Sequence, residues 1–408
     1  MDLSRVGTLR HADSYSSAGS NKLATIVRST PAATETRLLF IDNIRWMLIV
    51  LVICHHAAVT YSHVGGWYYL DGPKPGLGAT FLFATFETFN QAYFMGFLFL
   101  IAGYFVPRAF DNKGAGRFLR DRAARLGLPA LFFMLVIHPF TVYWLLRTFD
   151  DSGIPSLREA YGRFLLSGKV LSATGPMWFA VALLIFCIIY AGLRLLGRPV
   201  ALSALPGHGS VIGLIVAMGA CTFLVRIAQP IGVNILNMQL CYFSQYMLLF
   251  VVGIFAYRGN WLRRISRGFG MIWLRLALTA GVAGWFVLIL TSGALEGNSK
   301  SLLGGFHWQS AAFSFWESFF CLGVCLGLTV LFRERFNFQG KFSQWMSRNS
   351  FAAYLFHTPL LVAVTLALKH VAAPLGVKFV FACLLAVPIT FVVSAFIRPR
   401  IPVLRRVL

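Results

Sequence analysis

Charge is what this chain has least of. Charged residues fill 12% of its 408 positions, and only 14 of them are Asp or Glu. An average soluble domain carries roughly 25%. So little charge cannot cover the surface of a soluble core of this size, which excludes the ordinary soluble class. The seven cysteines make no CxxC pair and fall within apolar runs. A thiol metal site is therefore not expected, nor any other metal centre, and the cysteines read as small packing residues. Residues 1–36 lack an apolar run long enough for a signal-peptide core. No linker is long enough to be a soluble domain, and no internal repeat of the kind common in inverted-repeat transporters is evident.

What is present is hydrocarbon: 58% of the residues are hydrophobic. Apolar stretches of spanning length recur, and about ten transmembrane helices are expected. They lie near 39–61, 78–105, 126–147, 174–196, 210–228, 238–257, 271–292, 308–332, 349–369 and 376–397. Breakers such as Gly72-Pro73 and Gly153-Ile154-Pro155 separate them. The expected fold class is all-α, a polytopic integral membrane helix bundle. A disordered basic arm over 1–36 precedes a transmembrane domain over 37–400, and a short tail over 401–408 follows.

The formal net charge is +22. In a soluble protein that would suggest nucleic acid. Here the basic residues lie between apolar spans, so the lipid bilayer is the expected partner and nucleic acid is not. With the N-terminus inside, 26 of the 36 basic residues fall on the inner side and 9 on the outer. The positive-inside rule then puts both termini in the cytoplasm. Trp67, Tyr68 and Tyr69 follow the first helix, where an aromatic belt is expected.

Charged and titratable groups within hydrocarbon are costly and usually functional. The first helix carries Arg45, His55 and His56. Arg45 and His56 are eleven residues apart, which puts them within about 20° of one another and roughly 16 Å apart along the axis. His55 points about 80° away from Arg45. An imidazole such as His56 can be a general base near neutral pH or a hydrogen-bonding group between helices. His55 reads as packing or orienting. Glu87 and Glu317 are buried carboxylates; Glu87 could orient a catalytic His or pair with an Arg, while Glu317 favours an Arg such as Arg226 or Arg275. His138 precedes Pro139, and His357 lies before Pro359. Arg120, Arg122 and Arg125 form a basic cluster. The last two, spaced i, i+3, would share a helix face. Guanidinium groups suit phosphate recognition, although a basic loop can also be only a topology signal.

These features resemble the acyltransferase-3 membrane proteins. Asp42-Asn43-Ile44-Arg45 followed by His56 is similar to that family's Arg, ten residues, His motif. The run Phe94-Met95-Gly96 to Ala102-Gly103-Tyr104-Phe105 resembles its second-helix segment. Arg122-Ala123-Ala124-Arg125 with Pro129 resembles its double-Arg motif, and Tyr354-Leu355-Phe356-His357-Thr358-Pro359 its late Tyr-Leu-x-His-x-Pro segment. Asn43 and Trp46 stand where Gly is common, a departure that looks most like the glucan-modifying branch, which succinylates periplasmic glucans.

The resemblance implies an O-acyltransferase in the plasma (inner) membrane. It would move an acetyl or succinyl group from cytoplasmic acyl-coenzyme A, a co-substrate, to a hydroxyl of a carbohydrate or glucan acceptor on the far side. Arg122, Arg125 and Arg120 would hold the donor's phosphates. His56 would be the base, with Arg45 and Glu87 as further catalytic candidates, and an acyl-His intermediate is a second route. Succinyl would need a cation, for which Arg147, Arg226 and Arg275 are equal candidates. The sequence leaves a homo-oligomer open. The chief rival is a proton-coupled secondary transporter, in which His, Glu and Arg form a relay.

Overall fold

A computed structural model describes residues 37–149, 153–197 and 204–401. The expected arm over 1–36, and all but the first residue of the expected tail, lie outside the described residues. The chain is a polytopic helical membrane protein, because apolar runs in lipid must satisfy every backbone group internally. The helices are α1 Leu39–Ser62, α2 Leu77–Gln91, α3 Phe94–Arg122, α4 Leu128–Phe132, α5 His138–Phe149, α6 Leu157–Leu166, α7 Trp178–Leu196 and α8 His208–Ala228. They continue as α9 Phe243–Arg258, α10 Trp261–Arg264, α11 Arg267–Leu276, α12 Val282–Thr291, α13 Lys300–Leu303, α14 Trp308–Arg335, α15 Lys341–Ala367 and α16 Leu375–Arg400.

Among the described residues, nine helical segments are long and apolar enough to cross a membrane. One of them, Leu77–Phe149, is 73 residues long and holds two of the ten expected spans. At about 1.5 Å per residue that segment far exceeds a single crossing of roughly 30 Å. Gly114 interrupts it with φ 69° and ψ 167°, a conformation open to glycine. Beyond it, π-turns at Ala123–Gly127 and Phe133–Ile137 come ahead of Pro129 and Pro139 or include their approach. Proline offers no N–H to the carbonyl four residues back. The Leu135 carbonyl that Pro139 leaves free accepts the Tyr161 hydroxyl at 3.0 Å.

Lipid-embedded helices gain little by burying apolar side chains against one another, so close backbone approach decides where they pack. α3 runs along α9, and Gly103 faces Gly253 at the crossing. A Cβ at either position would collide with a backbone carbonyl of the other helix, Phe250 or Leu100. Gly323 and Gly327 let α14 approach α11 in the same way, against Trp273 and Leu274.

Polar contacts gather the basic segments at one end of the bundle. Asp111, just ahead of the Gly114 break in α3, pairs with Arg194 of α7 and Arg258 of α9. Arg333 donates to the carbonyls of Leu262 and Arg263. Asn43, near the start of α1, donates to the carbonyls of Phe336 and Phe338 at 2.7 and 2.9 Å. Its own carbonyl accepts from Gln339, Ser343 and Trp46. The beginning of α1 is thus locked to the α14–α15 connection, and α1 leads from there to the opposite end.

Candidate active site

At the far end of α1 the chain folds back on itself. Residues 63–76 form a loop held by Asp71. The Asp71 amide donates to the Thr60 carbonyl at 2.8 Å, and its carbonyl bonds His63 Nε2 at 3.2 Å. Its carboxylate accepts the Tyr69 hydroxyl at 2.6 Å and the Lys378 ammonium of α16 at 2.9 Å. Asp71 and Lys378 are both buried, so each needs the other. Burial beside the Asp71 carboxylate pushes the Tyr69 phenol well above its ordinary pKa, which keeps it a donor. Nearby, the Tyr68 hydroxyl bonds His138 Nδ1 at 2.7 Å.

Pinned on both sides, Trp67 lies against His56. The ring centroids are 4.0 Å apart and the planes 12° from parallel. This differs from the aromatic belt expected for Trp67, Tyr68 and Tyr69. The anchors at Asp71 and His138 turn these rings inward, and Tyr69 is buried.

His357 of α15 stands beside His56, centroids 5.4 Å apart and planes 16° apart. Trp67 and His357 are 6.1 Å apart, so the three rings do not form a straight column. Trp67 covers one face of His56, and His357 lies to its side. His357 is fully buried, and its Nδ1 lies 2.7 Å from the Tyr354 carbonyl. Since a carbonyl only accepts, Nδ1 carries the proton and Nε2 is the bare nitrogen. Tyr354 in turn donates its hydroxyl to the Pro176 carbonyl, fixing α15 against the Gly175–Met177 turn. His56 keeps part of its surface accessible, while its Nδ1 is buried without a partner.

The structure therefore brings His56, Trp67 and His357 together. It does not add the other expected catalytic residues to that group. Glu87 accepts the hydroxyl of Ser62, the last residue of α1, at 2.6 Å. Arg45 lies near the other end of α1, its side chain 45% exposed and paired with Asp42 at 3.6 Å. On the shared face between Arg45 and His56, Ile49 and Val52 are buried, so that face is packed rather than open along its length. His55 packs on Phe94, centroids 5.2 Å apart, as a packing residue would.

The basic cluster lies at the end of the bundle where the other basic segments meet. Arg120 and Arg125 are exposed, whereas Arg122 is half-buried with its guanidinium 5.3 Å from the Phe118 ring centroid. The turn between Arg122 and Arg125 is a π-turn, Ala123–Gly127, rather than the α-helix that the i, i+3 spacing assumed.

Of the candidate cations, Arg226 is fully buried and bonded to Glu317 at 2.7 Å, with Ser314 at 3.3 Å and the rings of Tyr242 and Phe313 around it. The expected pairing of Glu317 holds, and it ties α8 to α14. Arg147 and Arg275 are exposed.

Sequence reasoning missed Trp67, Asp71 and Lys378. Lys378 offered a signal, a single ammonium inside an apolar run. Trp67 offered none, since its place depends on contacts far along the chain.

The family described as an acyltransferase domain matches residues 38–396. No curated protein matches the chain, and no solved structure does.

Proposed function

The chain belongs to the acyltransferase domain family, and from that premise we propose that this membrane acyltransferase carries acyl groups across the bilayer to a sugar hydroxyl. The donor is acyl-coenzyme A from the cytoplasm, bearing acetyl or succinyl. The acceptor is a carbohydrate, on the pattern of the glucan-modifying branch, at the outer face of the plasma membrane. The observation that carries this reading is His56. It is an imidazole set inside the helical bundle, covered by Trp67, flanked by a second imidazole, and still partly accessible.

The basic end of the bundle suits the cytoplasmic side, by the positive-inside rule. Both termini are then cytoplasmic. Arg120, Arg122 and Arg125 would meet the donor's phosphates there through paired, charge-assisted hydrogen bonds. His56, near the opposite end of α1, would meet the acceptor. Its Nε2 takes the proton as the hydroxyl oxygen attacks the thioester carbonyl. As the C–S bond breaks, the thiolate leaves and recovers that proton. The surrounding helices and the Trp67 cover keep water from hydrolysing the thioester. Arg45 belongs to the donor's side of this scheme. Glu87, through Ser62, steadies the end of the helix that bears His56.

The test uses purified protein in lipid, with acetyl- or succinyl-coenzyme A and glucan. Free thiol should appear together with one ester per glucan by mass. No thiol release from either donor, with protein that is folded, would overturn the reading.

A further inference from the structure

His357 has no place in the scheme above, yet it is the side chain nearest in kind and position to His56. Two buried nitrogens in this pair lack a hydrogen-bond partner: His56 Nδ1 and His357 Nε2. Buried polar atoms are nearly always satisfied, so each such orphan calls for an explanation. Other unpartnered atoms exist among the described residues, but these two sit on neighbouring rings and are chemically complementary. The Tyr354 carbonyl fixes His357 with its proton on Nδ1, leaving a lone pair on Nε2. His56 Nδ1 can carry a proton. As placed, the two nitrogens are not bonded to one another. A ring nitrogen lies about 1 Å from its centroid, so with centroids 5.4 Å apart a turn of the His56 ring that brings these edges together closes an N–H···N bond of about 3 Å.

We propose that His357 is the positioning residue of His56. It accepts a hydrogen bond from His56 Nδ1–H, and so makes Nε2 the basic nitrogen that faces substrate. The relay runs from the Tyr354 carbonyl to His357 Nδ1–H, from His357 Nε2 to His56 Nδ1–H, and ends at the bare His56 Nε2. It is the arrangement of a triad, in which a third group sets the tautomer and orientation of the catalytic imidazole, with a neutral imidazole in place of a carboxylate. During turnover only His56 Nε2 gains and loses a proton, from the acceptor hydroxyl and then to the departing thiolate. His357 stays neutral and accepts throughout. The inference rests on the proposed transferase reading for its kinetic consequences, but not for the tautomer itself.

Two isosteric substitutions separate positioning from structure. In His357→Asn the amide can still donate to the Tyr354 carbonyl, but nothing replaces Nε2. In His357→Gln the amide oxygen can stand where Nε2 was. A positioning role predicts roughly a 10- to 100-fold loss of kcat in the Asn variant, with KM for the donor unchanged, and substantial recovery in the Gln variant. A role confined to holding α15 predicts the reverse order, and that result would overturn the proposal. The ¹⁵N spectrum of the His56 ring in the lipid-embedded protein reads the tautomer directly. Nδ1–H in the native protein, giving way to a mixture in His357→Asn, is the expected result. Nε2–H in the native protein refutes the relay. This readout needs no turnover, so it decides the proposal even if thiol release fails.

Discussion

Replacing Asp71 with Ala tests how the loop over His56 is held. The substitution leaves the Lys378 ammonium buried without its carboxylate and the Tyr69 hydroxyl without its acceptor. Breaking a buried ion pair from one side costs about 3–5 kcal/mol, most of it the penalty on the charge left behind. At 1.4 kcal/mol per factor of ten, that shifts the opening equilibrium of the loop by roughly two to three and a half decades. The bundle has its own contacts, so the change should stay local. Hydrogen exchange of the peptide spanning 63–76 measures it, since the Asp71 amide itself is protected by the Thr60 carbonyl. Protection should fall by about 10²–10³ in Asp71→Ala while α3 and α9 are unchanged. With Lys378→Met added, the stranded charge is gone and much of the protection should return. Equal exchange in Asp71→Ala and the native protein would refute the clamp. A double variant as open as the single one would refute the ion-pair explanation of it.

Other consequences are open to simpler assays. Arg122→Ala or Arg125→Ala should weaken acyl-coenzyme A binding by roughly 10- to 100-fold, the worth of charge-assisted hydrogen bonds, as measured by calorimetry. Lys at either position should restore only part, and undiminished affinity in the double Ala variant would reduce the cluster to a topology signal. Glu317→Ala strands the fully buried Arg226 and should cost about 3–5 kcal/mol, seen as loss of folded protein on heating in detergent. Replacing both members with apolar residues should recover most of that, and a thermally normal single variant would contradict it. Gly103→Leu drives a side chain into the Phe250 carbonyl and should abolish a monodisperse fold by size exclusion; a well-folded variant would show that the α3–α9 crossing is looser than its glycines indicate.

What could be read along the chain was largely what is local or periodic. Apolar runs announced the helices, and eleven-residue spacing put His56 on a known face of α1. A lone buried Glu317 called for an Arg, and Arg226 supplied it. What escaped was set by contacts distant in sequence. Asn43 read as a departure from a glycine motif, yet its amide is the hub that binds α1 to Phe336 and Phe338, nearly three hundred residues on. Trp67 read as an interface residue, because nothing within the loop reveals that Lys378 and His138 pull it inward. The i, i+3 reading of Arg122 and Arg125 assumed an α-helix, whereas a π-turn stands there. His357 was only one of two histidines, with His138, lying just ahead of a proline until α15 was seen beside α1.

The central claim, that His56 is the base, is tested most directly by comparing His56→Ala with its neighbour His55→Ala. Both would be purified in lipid, with coenzyme A release followed continuously and helical content and donor affinity measured alongside. A positioned base contributes about 10²–10⁴-fold to rate. His56→Ala should therefore lose at least about 10²-fold in turnover while still binding donor, and His55→Ala, whose ring packs on Phe94, should keep most of its activity. Near-normal turnover by a folded His56→Ala protein would contradict the account.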